Sequence, residues 1–327
     1  MKTIRAGIIG AAGYTGGEML RILLRHPQVT INFAHSTSNA GNPVAQVHGD
    51  LLGDTDLHFT DRLQTDVDVL FLCVGHGDAR KFLQANPIPD STRIIDLSQD
   101  FRLQQHAQLG TRNFLYGLPE LNKAAIASGK YDIANPGCFA TCIQLGLLPL
   151  AKQGILQQVH TTGITGSTGA GQKLTATSHF SWRANNIQAY KSLQHQHLHE
   201  IKQSLHQLQG KGEISLYFVP WRGDFTRGIY VSSMINTELS EQDLYALYRD
   251  YYQDAAFTHI SDTMIDLKQV VNTNKCLIHI EKHQEQMVVH TATDNLLKGA
   301  SGQAVQNMNL IFGLPETTGL QLKAGFF

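Results

Sequence analysis

Short apolar runs alternate with stretches of helical spacing through the first part of the chain. Residues 2–9 (KTIRAGII) read as a strand, Gly10 to Gly17 as a turn, and 18–25 (EMLRILLR) as a helix whose apolar positions recur three and four apart. Further strands are expected at 29–34, 67–74, 93–97 and 131–134, each closed by a polar or glycine-containing loop. Such alternation implies a parallel, doubly wound sheet of the Rossmann type. The stretch 138–153 (CFATCIQLGLLPLAKQ) has helical spacing, and the rhythm then changes. Strand patterns at 155–165, 213–219, 227–236, 276–282 and 286–293 follow with fewer helices between them, which predicts an α+β domain with a mostly antiparallel sheet. The stretch Asn295 to Gly302 then leads into an amphipathic run to Phe312, a long helix expected to return and pack on the first domain.

Size and composition agree with two α/β parts. At 327 residues the chain exceeds what one core usually holds, and 42% hydrophobic against 16% charged residues leaves ample apolar surface to bury. Lys and Arg (26) nearly balance Asp and Glu (27), and no polybasic run occurs, so neither nucleic acid nor an anionic membrane is an expected partner. No apolar stretch is long enough to span a bilayer, and the chain opens on a strand rather than a signal-peptide pattern, so a cytoplasmic protein is expected. Its four cysteines, Cys73, Cys138, Cys142 and Cys276, lie in no metal-binding spacing and are expected to be reduced. Cys142 follows Cys138 by one helical turn, as a packed thiol or as half of a regulatory disulfide.

Two places carry candidate chemistry. The glycine turn Gly10, Gly13, Gly16, with Tyr14 and Thr15 between them, stands directly after a strand and before a helix. Glycines there let the backbone turn tightly and approach a pyrophosphate, which then rests on the N–H groups of the helix start. The next strand ends in His35-Ser36-Thr37-Ser38 with no acid to bind a ribose 2′-hydroxyl, which favours NADP over NAD; Ser36 and Ser38 supply hydroxyls for the 2′-phosphate. The loops holding Gly75 and Ser98 follow later strands of the same sheet, where ligands bind beyond the carboxyl ends, and Cys138 is expected at the same cleft. Pro136 and Gly137 end the preceding segment, so Cys138 falls at a helix N-terminus. There, unpaired N–H groups and the helix dipole favour the thiolate, the nucleophilic form; the bland alternative is a buried structural thiol.

Taken together, the motifs form a recognisable set. Gly10 to Gly17, Asp96-Leu97-Ser98-Gln99-Asp100-Phe101-Arg102, Tyr116-Gly117-Leu118-Pro119-Glu120, Asn135-Pro136-Gly137-Cys138, Gly166-Ser167-Thr168-Gly169-Ala170-Gly171 and Asp294-Asn295-Leu296-Leu297-Lys298-Gly299-Ala300 occur in the order seen in the N-acetyl-γ-glutamyl-phosphate reductase family, which the chain resembles over nearly its whole length. The resemblance implies an arginine-biosynthesis enzyme that uses NADPH to reduce an acyl phosphate to a semialdehyde through a thioester on Cys138. It also implies kinship with aspartate-semialdehyde dehydrogenase and a homodimer or homotetramer built through the second domain. The expected division is 1–137 with 298–327 as a dinucleotide-binding domain and 138–297 as a catalytic and oligomerisation domain.

The resemblance also implies roles for single residues. In Leu193-Gln194-His195-Gln196-His197-Leu198-His199-Glu200-Ile201 the family's catalytic histidine falls at His197, with His195 as fallback because Gln196 and His199 depart from the pattern. A metal site is disfavoured there, since on a helix His195 and His199 would share a face while His197 points away. Arg102 is expected near the phosphate and Arg227 near the rest of the substrate, each with a structural ion pair as alternative; Asn135 and Glu200 are further candidates for substrate contact. Ser167, Gly169 and Asn295 are expected beside the nicotinamide. Trp221 and Arg222 interrupt the family pattern and leave the N-acyl group open between acetyl and succinyl. The competing readings are a reductase of aminoadipyl or aspartyl phosphate and a non-catalytic dinucleotide-binding protein.

Overall fold

The computed structural model describes residues 3–326. They divide into two compact units. One holds the described residues up to Gly137 with Ala300–Gln321; the other holds Cys138–Gly299 with the described residues from Leu322 onward, so the last few residues go with the second unit rather than the first.

The first unit runs β1 (Ile4–Ile9), α1 (Tyr14–Leu23), β2 (Val29–His35), α2 (Val44–Val47), β3 (Phe59–Thr60), β4 (Val69–Leu72), α3 (Asp78–Ala85), β5 (Arg93–Asp96), β6 (Gln108–Leu109), β7 (Arg112–Tyr116), α4 (Pro119–Ala127) and β8 (Asp132–Ala134). Lys2, at the start of the expected first strand, lies outside the described residues. The sheet order is β3-β2-β1-β4-β5-β8-β7-β6, parallel everywhere except the β6–β7 edge pair. Strand order reverses between β1 and β4, the switch point at which α/β sheets bind ligands beyond the carboxyl ends of their strands. All four residues of β4 are buried, as expected where both faces are covered.

The second unit continues with α5 (Cys138–Lys152), β9 (Gln158–Thr165), α6 (Phe180–Arg183), β10 (Gln188–Ala189), α7 (His197–Gln209), β11 (Ser215–Arg222), β12 (Ile229–Asn236), α8 (Glu241–Tyr251), β13 (Thr258–Ile260), β14 (Cys276–His283) and β15 (Gln286–Thr293). Its sheet order is β10-β11-β9-β12-β15-β14-β13. Four of the six pairings are antiparallel; β9–β11 and β13–β14 are parallel. Helix α5 is its spine, with every residue from Phe139 to Ala151 buried. Pro149 inside it lacks the N–H that would bond the Leu145 carbonyl. Tyr252 supplies the donor instead, its hydroxyl 2.5 Å from that oxygen, and the Tyr248 hydroxyl donates to Gly146 O at 2.6 Å.

Back in the first unit, α9 (Ser301–Ile311) packs against α1 and α4. The structure buries Ser301 to Leu310 of this helix on every side, so it is not amphipathic. Its polar side chains bond internally instead: Asn307 Nδ2 donates to Gly117 O at 2.8 Å and Asn135 Oδ1 at 3.1 Å, and Asn309 Oδ1 lies 3.0 Å from His26 Nε2. No helix among the described residues is long and apolar enough to cross a membrane.

Candidate active site

The glycine turn of the first unit is a backbone cradle. Gly10 has φ +77°, and a Cβ there would stand 2.4 Å from Cys73 O; a Cβ on Gly16 would stand 2.5 Å from Gly10 O. Both positions therefore require glycine. Gly13 is the N-cap of α1, provides no side-chain cap, and is followed by no acid in the first turn, so the positive end of the helix is left to an anion. Tyr14 is exposed and Thr15 partly so. At the end of β2, Ser38 is exposed and Ser36 buried, and Asn39 Nδ2 donates to the Ser38 hydroxyl at 3.1 Å. These groups fit a dinucleotide's pyrophosphate and a phosphorylated ribose. Gly75 is exposed after β4. Ser98 is fully buried and donates to Asp96 Oδ2 at 2.8 Å, so its hydroxyl serves the loop rather than an open site. Burial pushes the Asp96 carboxyl up to about 7, against the pull of the Ser98 donors and of Arg102.

In the second unit Cys138 opens α5 and is partly exposed, whereas Cys73, Cys142 and Cys276 are buried. Burial pushes the Cys73 and Cys142 thiols up to about 12, which leaves them inert. The turn after β15 lies against the helix start: a Cβ on Gly299 would stand 2.9 Å from Cys138 Cβ and 2.8 Å from Asn295 O. Phe139 carries the contact onward, its ring 5.8 Å from that of His195, which in turn is 4.6 Å from the His197 ring.

The two histidines differ in kind. His195 precedes α7, and its Nδ1 accepts the His197 backbone N–H at 3.3 Å, so that nitrogen carries no proton. Boxed by Phe139, Phe218, Tyr190 and His197, its pKa is lowered to about 4, first by burial and then by Lys191. A ring that resists protonation so strongly is a poor acid near neutrality. His197 is the first residue of α7, buried, with Nε2 3.9 Å from Glu200 Oε1 one turn on. Because α7 starts at His197, the helical spacing expected for the histidine trio does not hold. His195 and His197 meet, while His199 is exposed.

The structure gives several expected ligand contacts protein partners instead. Arg102 is buried, with Nε donating to Asn135 O at 2.8 Å and Nη2 to Leu97 O at 2.9 Å. Asn135 is fully buried, donates to Ala300 O and accepts from Asn307. Arg227 forms a two-pronged pair with Asp294, at 3.1 and 3.2 Å, the structural ion pair of the alternative reading. Asp294 is fully buried and also accepts the backbone N–H groups of Asn272 and Leu296. Asn295 spends both ends of its amide on loops, accepting from Gly228 N at 2.7 Å and donating to Thr168 Oγ1 at 3.0 Å. Glu200 faces His197 rather than solvent. Arg102, Asn135 and Asn295 each satisfy the polar main chain of a loop. Ser167 and Gly169 remain accessible on the loop that this scaffold holds.

Tyr190 leaves no mark in the sequence, whereas Arg222 stands out there as a departure from the family pattern. Tyr190 contacts the His195 ring at 5.8 Å, and its hydroxyl is pushed up to about 12 by burial and by the nearby Cys138 sulfur, against Arg222. The register that pairs β10 with the end of β11 puts it there.

A nucleotide-cradling α/β unit joined to a unit with a cysteine at a helix start and a buried histidine defines a semialdehyde dehydrogenase. Residues 5–129 match the family "Semialdehyde dehydrogenase, NAD binding domain" and residues 138–295 match "Semialdehyde dehydrogenase, dimerisation domain". Within that class the chain belongs to the N-acetyl-γ-glutamyl-phosphate reductases. It is 56% identical to the protein so named from Phocaeicola vulgatus and 55% to that from Bacteroides thetaiotaomicron, each over 99% of this chain and all of the relative. The fold also matches aspartate semialdehyde dehydrogenase II from Vibrio cholerae, solved in complex with ASA, at TM-score 0.72 and 16% identity over 96% of this chain and 99% of that one.

Proposed function

We propose that the protein reduces N-acetyl-γ-glutamyl phosphate to N-acetylglutamate semialdehyde and phosphate with NADPH, in the arginine pathway. The observation that carries this reading is the accessible Cys138 at the start of α5, in a unit where the remaining thiols are buried. The Cys138 thiolate attacks the acyl carbonyl; the carbon–oxygen bond to phosphate breaks, phosphate leaves and a thioester remains. NADPH, when bound, supplies the hydride that reduces the thioester. The resulting thiohemiacetal gives up its hydroxyl proton and expels the thiolate, releasing the aldehyde. N–H groups of the first turn of α5, which carries no acidic side chain, support the oxyanion of each tetrahedral stage, worth about 3–4 kcal/mol per donor. His197 moves the proton, held in orientation by Glu200.

The glycine cradle and the acid-free end of β2 support NADP as the dinucleotide. The four cysteines, which form no disulfide among the described residues, suit the reducing cytoplasm. The sheet face of the second unit opposite α5 presents Tyr217, Met234 and His160 to solvent, and this supports a homodimer formed across that face. NADPH oxidation with N-acetylglutamyl phosphate and with aspartyl phosphate tests the reading. A kcat/KM at least about 100-fold higher for the former is expected from a pocket that hydrogen-bonds the acylamide. Preference for aspartyl phosphate, or NADPH binding without turnover, would overturn it.

A further inference from the structure

The second unit contains four arginines, and two of them have their forks engaged by carboxylates: Arg227 by Asp294 and Arg249 by Asp262. The other two, Arg183 and Arg222, pair with no carboxylate among the described residues. Arg222 ends β11 and lies over the Tyr190 ring, 4.9 Å from its centre, while its buried Nε has no hydrogen-bond partner. Arg183 ends α6; its Nη2 donates to Asn186 O at 3.1 Å, but its buried Nε and Nη1 have none. The segments that carry them are tied together. Gln188 pairs with Arg222, Tyr190 N donates to Pro220 O at 3.1 Å, and at the far end Asn185 N donates to Asp224 Oδ2 at 2.5 Å. That last bond also occupies the acid nearest in sequence to Arg222.

Buried guanidinium N–H groups without partners are costly, and the planar fork matches a carboxylate. Resting on the reading above, we propose that Arg183 and Arg222 form a carboxylate-binding subsite beside Cys138 that orients the acyl substrate. Two carboxylates share this chemistry: the α-carboxylate of the glutamyl group and the terminal carboxylate of a dicarboxylic N-acyl group such as succinyl. Tyr190 links the subsite to the reaction centre, since it stacks under Arg222, touches the His195 ring and lies within electrostatic reach of the Cys138 sulfur.

The reverse reaction separates the substrates, because semialdehyde, phosphate and NADP bind as three reagents. In Arg222→Met and Arg183→Met the KM for the semialdehyde should rise about tenfold or more, with the KM values for phosphate and NADP within twofold of wild type, and Arg222→Lys should recover part of the loss. An equal rise for N-acetyl and N-succinyl semialdehydes assigns the subsite to the α-carboxylate. A rise confined to the succinyl compound assigns it to the acyl group. Unchanged KM for both, or a rise in the phosphate KM alone, overturns the proposal. If wild type turns over neither compound, the functional reading falls, and titration calorimetry with N-acetylglutamate and N-succinylglutamate then decides the subsite. Binding weakened about tenfold in the Met variants upholds it; no binding, or equal binding, refutes it.

Discussion

Replacing His195 by Asn tests the division of labour between the two histidines. In the folded protein the His195 ring is held neutral, with its pKa near 4 against 6.5 for an unperturbed histidine. A depressed folded-state pKa contributes stability that is present above the unfolded value and lost as pH falls through the folded one. The window is therefore 6.5 down to about 4. Between pH 7 and pH 5 the loss from this one group amounts to about 2 kcal/mol, at 1.36 kcal/mol per pKa unit of completed titration. In His195→Asn the amide oxygen of the new side chain can take over from Nδ1 as acceptor for the His197 N–H, so the helix start is preserved while the titrating group goes. Both tryptophans, Trp182 and Trp221, belong to the second unit, so urea unfolding followed by tryptophan fluorescence reports on the unit that holds His195. Wild type should lose about 2 kcal/mol more than His195→Asn between pH 7 and pH 5. His197 is the residue left to move the proton, and its replacement by Asn should lower kcat by about 10²–10⁴. Equal acid sensitivity in the two proteins, or a kcat that collapses in His195→Asn and holds in His197→Asn, would refute the assignment.

Other expectations follow from buried polar pairs. Arg227→Met leaves Asp294 as a buried charge without its cation, and should cost about 3–5 kcal/mol in urea unfolding, whereas the double variant Arg227→Met with Asp294→Leu should recover part of it. Tyr252→Phe strips the donor from the Leu145 carbonyl that Pro149 leaves unpaired, and should cost about 1–3 kcal/mol by the same assay.

The parts of the fold that were plain in the sequence are those in which period and burial coincide. Strands β1, β4 and β5 are short apolar runs closed by polar or glycine-containing loops because helices cover both sheet faces, and β14 and β15 were legible almost to the residue. Helix α9 reads as amphipathic, yet its amide side chains are buried, with Asn307 donating to Gly117 O and Gln306 to Glu316 Oε2. The stretch 172–189 gave no signal. Its Leu174, Phe180 and Ile187 are exposed, so no core imposes a period on it, and β10 exists only by pairing with the edge of β11. Within the site, Cys138 and the glycine cradle were legible because a helix start and a positive φ leave marks in sequence. Arg102, Asn135, Arg227 and Asn295 were not separable from ligand contacts, since a side chain that satisfies a buried loop and one that binds an anion are the same residue types.

The central claim is the covalent route through Cys138. Mixing the enzyme with N-acetylglutamyl phosphate in the absence of NADPH, quenching in acid and weighing the peptides should show one acyl group added to the peptide containing Cys138, one phosphate released per active site, and neither in Cys138→Ser. NADPH oxidation at the wild-type rate in Cys138→Ser, or wild-type turnover with no acylated peptide, would contradict the account.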